Sequence, residues 1–506
     1  MSDSAPRDHA TMVVDDDDRN CTEYAALIGT NQEPDLNVSH KPYRRYNPLY
    51  MTLVASLIFL IADTVSAMTM APRLAIFEKI ICQDHYSQVL SKDGGVGDCK
   101  IEPVQSELAL INGWREALDN IPPILVSVPY GILADRVGRK KVLLLAMVGC
   151  LLSDMWVNVV SFFPYILPLR AVWFSGLWQL IGGGGACISS MCFAMIADVC
   201  PPEMRTSAFS GVHAAVLVAE LIAVPAGAAL MSINAWVPIF GASMLLAMGI
   251  LLACVLVPNS HPAMSRSDQD LNNKYSATPS SAQEAQATVS TRIKEYVYRS
   301  VNELRNNRGW LRNRNILLVT ASFFVCQLGR QITSITLQFA AAKFHWKFDK
   351  ASWLVSLRAG VNLFVLVALI PALSHILVQR LKYDNVLKDK RLTQLNGVCL
   401  VVGSGIIFLA AAPPTLVFGQ TIFALGFAFS VTARSFLTGL VDPSHLGVVY
   451  TAVTTMLYGG LVIGSPLLAA TLQWGLQLGG VWMGLPFLLA AAFFMLALSA
   501  VSAATF

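Results

Sequence analysis

Charge is what this chain has least of. Only 13% of its 506 residues are Asp, Glu, Lys or Arg, while 55% are hydrophobic. That is too little charge for a soluble globular protein of this size, and the shortage points to a polytopic membrane protein. The net charge of +4 is too small to suggest nucleic acid as a partner. Chemistry-bearing motifs are missing too. There is no G-x-x-x-x-G-K-[ST] phosphate loop to support ATP-driven transport. The eight His and ten Cys show no zinc spacing, no H-E-x-x-H occurs, and no serine sits in a G-x-S-x-G elbow. An enzyme, a cofactor and a metal are therefore not expected. Residues 1–48 lack a signal-peptide pattern, contain the acidic run Asp15 to Asp18 and read as a disordered cytosolic tail. The sequons at Asn20 and Asn37 fall in that tail and read as chance matches.

Apolar sequence, by contrast, is abundant, and it comes in pieces of membrane length. A bilayer core takes about 20 helical residues to cross. Twelve such pieces can be counted: 49–71, 110–132, 142–163, 169–197, 207–230 and 236–257, then 316–341, 352–378, 393–412, 415–441, 446–472 and 480–503. The expected fold class is an all-α membrane protein of twelve transmembrane helices in two six-helix bundles, residues 49–257 and 316–506. Short loops rich in Lys and Arg stay in the cytosol. Arg136, Arg139, Lys140 and Lys141 fill one such loop, and Arg380, Lys382, Lys388, Lys390 and Arg391 fill another. Both termini and the central loop, 258–315, are thereby expected in the cytosol. That loop begins as a polar linker and ends with Ile293, Tyr296, Val297, Val301 and Leu304 at helical spacing among arginines, the pattern of a basic amphipathic helix on an anionic leaflet. Cys82 and Cys99 lie in the polar stretch after the first span, on the oxidising side, where they are a candidate disulfide.

The halves repeat their punctuation. Asp198, Pro201 and Pro202 follow the fourth span and Pro225 interrupts the fifth; Asp442 and Pro443 follow the tenth and Pro466 interrupts the eleventh. Duplicated six-helix units let two bundles rock about a central site.

Between spans two and three runs Gly131-Ile132-Leu133-Ala134-Asp135-Arg136-Val137-Gly138-Arg139-Lys140-Lys141. The glycines permit close approach of helix ends, and Asp135 can accept from a helix N-terminus or pair with an arginine. This stretch resembles the signature loop of the major facilitator superfamily, G-x-L-x-D-R-x-G-R-K. The resemblance implies alternating access, with Gly131, Asp135, Arg136, Gly138 and Arg139 forming a cytosolic gate and Asp198 and Arg205 beside them. The second half keeps the positive charge without the glycines, so asymmetric gating is expected. The Cys-bearing first loop and the 198–205 segment also resemble fungal facilitators distantly similar to the proton-coupled folate transporter branch.

A charged side chain in the hydrocarbon core costs roughly 2.5–3.5 kcal/mol on insertion scales and needs a partner, a wet cavity or a function. Asp63, Asp119, Asp154, Glu220 and Arg330 all fall roughly 18–21 Å from the cytosolic boundary at about 1.5 Å per residue. In span seven, Gln327, Gln331, Ser334 and Gln338 form a polar stripe beside Arg330. The resemblance implies that spans one, four, seven and ten line the cavity, so Asp63 and Arg330 are expected to act in substrate binding or coupling, or else to pair and hold the halves together. Asp119, Asp154 and Glu220 are proton-coupling candidates; Asp119 and Glu220 could equally be interface hydrogen-bonding groups, and Asp154 could pair within the first bundle. Gln179, near mid-depth in span four, Arg358 and Arg434 complete the set, the arginines either attracting an organic anion or pairing with these acids. Span five partly resembles the drug/proton antiporter motif: Gly211 and Pro225 fit, while Glu220 and Val224 replace glycines and Ala228 and Ala229 replace a closing Gly pair.

The expectation is a monomeric secondary active transporter in the plasma membrane. Its partners would be a small-molecule substrate, protons and the lipid bilayer, with efflux of a toxin, metabolite or drug placed first. Proton-coupled uptake of an organic anion and a transport-dead sensor or receptor are the rivals.

Overall fold

The computed structural model describes residues 47–89, 98–200, 202–258, 314–441 and 446–504. The acidic tail, the sequons, the central linker with its basic amphipathic segment, and Asp442 and Pro443 lie outside the described residues. Among those described, regular structure is helical throughout and forms twelve rods. The first bundle holds α1 (Pro48–Val89), α2 (Glu102–Val137), α3 (Arg139–Phe162), the composite α4, α5 (Pro202–Ile233) and α6 (Trp236–Leu256). Composite α4 is a 3-10 turn at Leu169–Phe174, a short helix Ser175–Trp178 and a longer helix Gly184–Val199. The second bundle holds α7 (Arg314–Phe344), α8 (Phe348–Gln379), α9 (Asn385–Phe408), α10 (Pro413–Leu440), α11 (Leu446–Leu478) and α12 (Gly480–Ala503). The described residues form one unit.

Local sequence explains most helix ends. Pro103, Pro413 and Pro486 sit in first turns, where a missing N–H costs nothing. Asp384 caps α9 by accepting from Val386 N. Interior prolines at Pro72, Pro122, Pro123, Pro225 and Pro466 stay inside continuous helix, as neighbouring helices in a membrane permit. Outward apolar side chains such as Met244 at 74% and Val255 at 81% exposure suit lipid contact. α2 is the polar exception, with Arg115, Glu116 and Asp119 at mid-length.

Of the boundaries that differ from the sequence expectation, two bear on the site. α1 does not stop near residue 71 but runs to Val89, so Cys82 is helical rather than in a loop. α2 and α3 each extend toward the other until Gly138 alone separates them. Its φ of 102° lies in a region that residues with a Cβ rarely adopt. The glycine is needed for conformation: it ends one helix and starts the next.

Two apolar clusters divide the interior. One joins Leu74, Phe77, Leu108 and Ile111 of the first bundle to Phe323, Ile335, Phe348 and Leu354 of the second, and continues through the second bundle to Ile316, Val449 and Ala504 at its terminus end. The other, with Met51, Val54, Ala134, Val142, Met195 and Val257, belongs to the first bundle alone and lies toward the chain-terminus end. The first-bundle residues of the shared cluster, such as Phe77, Cys82, Val104 and Leu108, lie toward the disulfide end.

Candidate functional site

At the terminus end, Arg139 in the first turn of α3 pairs with Asp198 of α4 at 2.5 Å. Lys140 donates to Cys254 O at 2.7 Å, meeting the last carbonyls of α6. Lys390, in the first turns of α9, donates to Ser502 O at 3.1 Å and Ala504 O at 2.7 Å, at the end of α12. A cation on a helix C-terminus satisfies orphan carbonyls and complements the dipole. The second half therefore does contain a counterpart of the basic loop. It is carried by one lysine on a helix C-terminus, without the glycine pattern. Gly131 also departs from expectation: a Cβ there would meet nothing within 4 Å, so it does not mediate close packing. Asp135, Arg136 and Arg205 have helical backbones, but their side chains lie outside the described residues.

Asp119 and Asp154 are drawn into the first bundle rather than into a cavity. Arg73 of α1 reaches Asp154 at 2.5 Å; Ser243 of α6 donates to the same carboxylate at 2.5 Å and Asn158 at 3.2 Å. Arg115 pairs with Asp119 one turn away at 3.0 Å, and Ser175 of α4 donates to Asp119 at 2.6 Å. Arg73 feels both acids and Arg115 electrostatically, so two cations and two anions form one balanced cluster linking α1, α2, α3, α4 and α6. Each charge is partnered and hydrogen-bonded, as burial requires. Arg73 and Arg115 were missed in the sequence reading. Arg73 lies beyond the counted end of the first span, and Arg115 precedes Asp119 at i−4, a spacing that could have flagged it.

The span-seven stripe is also redirected. Gln331 accepts from Ser465 of α11 at 2.8 Å, and Gln327 lies against Gly460 of α11, whose Cβ would stand 3.1 Å from the Gln327 Cβ. Gln338 is only 1% exposed. Gln331 and Gln327 thus make contacts with α11 inside the second bundle, while both amide atoms of Gln338 are buried without a hydrogen-bond partner among the described residues. Ser334 and Arg330 have side chains outside the described residues. Asp63 is half-buried on α1 and is not without a partner.

α4 is broken beside Gln179. Gly182, Gly183 and Gly184 take φ of 85°, 82° and 59°, and a Cβ on Gly182 would lie 2.3 Å from Ala146 N while one on Gly149 would lie 2.0 Å from Ile181 O. The break is pressed backbone to backbone on α3. A Cβ on Gly184 would stand 2.3 Å from the Gln179 amide oxygen, so that side chain folds over the break. α10 is interrupted as well, between Leu425 and Phe429. Both interruptions fall where the resemblance places cavity-lining helices.

Two seams join the bundles. In the α2–α11 seam, a Cβ on Gly113 would come 2.4 Å from the Ala469 Cβ and 3.1 Å from Ser465 O; small residues bring the helices together. In the α5–α8 seam, Arg358 donates to Glu220 at 2.8 Å, with side chains 15% and 21% exposed. Of the candidate charges, these two meet across the bundle boundary. Arg434 stands on the exposed face of α10 with Val431 and Ser435. Cys82 and Cys99 are bonded, their Cα atoms 5.4 Å apart.

The family model for the Major Facilitator Superfamily matches residues 110–465. The chain is 64% identical over 506 residues to efflux pump ustT of Aspergillus flavus, covering 99% of this chain and 98% of that one. It is 30% identical over 430 residues to the MFS efflux pump atnC of Emericella nidulans, covering 83% and 81%. The solved structure of nucleoside transporter NupG superposes with a TM-score of 0.56 at 13% identity, covering 90% of this chain and 98% of that one; at that identity the likeness concerns the fold alone.

Proposed function

We infer that this chain, which belongs to the major facilitator superfamily, is a proton-coupled efflux transporter that expels a small organic compound, a toxin, metabolite or drug. That it is a multi-pass membrane transporter and not an enzyme follows from the family. The direction is inferred from the relatives named as efflux pumps, one of them 64% identical along nearly the whole chain. The setting we propose is the plasma membrane, with a monomer whose residues 49–257 and 316–506 move as two bodies, the segments 1–48 and 258–315 and both termini being cytosolic.

The single observation that carries proton coupling is the Glu220–Arg358 pair across the α5–α8 seam. Protonating Glu220 removes the attraction between the bundles and leaves at most a neutral hydrogen bond. The α2–α11 seam holds no such charge at Gly113, where small residues are in contact. One seam then acts as pivot and the other as a latch that a proton opens. We place loading at the cytosolic end, a reading supported by the apolar residues that the bundles share toward the disulfide end. Asp63, Arg330 and Gln179 remain the proposed substrate contacts at mid-depth. The second reading, uptake of an organic anion, is favoured by exposed Arg434 on α10.

The test is reconstitution in vesicles of known orientation with a pH gradient imposed and then collapsed, presenting rhodamine 6G, fluorescein and a panel of cytotoxic metabolites. Gradient-driven movement out through the disulfide end is expected. Accumulation of fluorescein in the opposite direction, with no cytotoxic compound moved, would reverse the assignment.

A further inference from the structure

A further charged cluster lies at the disulfide end. Lys100 follows Cys99 directly, and its ammonium pairs with Glu78 of α1 at 2.6 Å. The same ammonium stands 4.5 Å from the centre of the Phe348 ring, the first residue of α8 in the other bundle. Lys100 and Glu78 are only 13% and 12% exposed, and Phe348 is 2% exposed. A lysine is seldom buried without a partner; this one has a carboxylate on its own bundle and an aromatic face on the opposite one.

The segment presenting Lys100 is tied down on every side. Cys99 is bonded to Cys82 on α1, Gln105 donates to Glu78 and to Cys99 O, and Tyr86 donates to Asp98 O at 3.1 Å. A second contact crosses the same boundary: His345 Nδ1 lies 3.8 Å from Asp98. His345 has a φ of 52°, in the left-handed region, where it turns α7 into α8 and sets Phe348 opposite Lys100.

We propose that Lys100, anchored by the Cys82–Cys99 disulfide and Glu78, is the hasp of the outer gate, closing the disulfide end by engaging Phe348. Opening that end separates Lys100 from the ring while its pair with Glu78 persists. The disulfide keeps the cation in register for reclosure. A contact of this kind contributes about 0.5–2 kcal/mol when desolvated. It acts on one conformational equilibrium, so its loss shifts that equilibrium by about 2- to 30-fold, with tenfold near the middle of that range. The inference rests on the alternating-access part of the proposed function and is independent of proton coupling and of transport direction.

Hydrogen exchange by mass spectrometry on the full chain in nanodiscs reads this without any substrate. Lys100→Ala should raise exchange at residues 343–352, across the boundary, by about tenfold, and the Cys82→Ser/Cys99→Ser pair should do the same. Lys100→Arg keeps the cation over the ring and should stay within about twofold of the parent protein. If the increase in the alanine variant is confined to residues 98–108, or if arginine behaves like alanine, Lys100 merely steadies its own loop and the gate assignment is wrong.

Discussion

Replacing Glu220 by Gln mimics its protonated form while keeping an acceptor for Arg358. The charge centres of an ion pair with a 2.8 Å contact are about 4 Å apart, where Coulomb attraction is roughly 4 kcal/mol at an effective dielectric near 20. Both side chains keep some contact with solvent, 21% and 15%, so screening and desolvation reduce the net value to about 2–3 kcal/mol. A neutral hydrogen bond retains about 1 kcal/mol of it. The expected loss is therefore about 1–2 kcal/mol, a shift of roughly 5- to 30-fold toward the state in which the α5–α8 seam is open. Hydrogen exchange at residues 213–226 and 352–364, corrected for intrinsic rates, reports that opening. In the parent protein both segments should be protected; in Glu220→Gln that protection should fall by this factor, with Arg358→Met adding little more in the double variant. The charge swap Glu220→Arg with Arg358→Glu should recover protection at neutral pH. If the Gln variant keeps the parent's protection, the pair does not hold the seam and the latch must be abandoned.

Asp154→Asn should cost about 3 kcal/mol of stability by leaving Arg73 without its closest counter-charge, lowering the unfolding temperature in detergent while transport per folded molecule is unchanged. Gly113→Val should wedge the α2–α11 seam at about 1–3 kcal/mol, and Ala469→Gly in the same chain should restore most of the thermal stability. Gly182→Ala should largely abolish folded protein on size-exclusion chromatography, since its φ is 85° and its Cβ would press on Ala146; Gly185→Ala, with nothing within 4 Å of its Cβ, should fold normally. Lys140→Met and Lys390→Met should each cost about 1 kcal/mol by thermal unfolding and add in the double variant, because each serves its own bundle.

The low charge and the long apolar runs were enough to define a helical membrane protein, since a chain in lipid must satisfy its backbone within helices or a closed barrel. The loop at 131–141 carried the family resemblance because a one-residue turn between two helices has few sequence solutions, and Gly138 is visible as one of them. Glu220 and Arg358 were both legible as expensive intramembrane charges. Their partnership was not, because 138 residues separate them and only the docking of two bundles brings them together. The span-seven glutamines, Gln331 above all, show the converse. Their periodicity revealed a polar face, but periodicity cannot distinguish water in a cavity from Ser465 on a neighbouring helix.

What the sequence determined by itself, then, is each helix and the cost of each charge within it: those are local quantities, fixed by composition over one span. What only the tertiary structure decided is how each cost is met. It placed Asp154 and Asp119 in a closed cluster with Arg73 and Arg115, Glu220 against Arg358 at a seam, and Lys100 over Phe348 at the gate. The physical reason is that an ion pair's energy falls off within a few ångströms in a partly wet membrane protein. Its effect therefore depends on which helix faces which, and no single span encodes that.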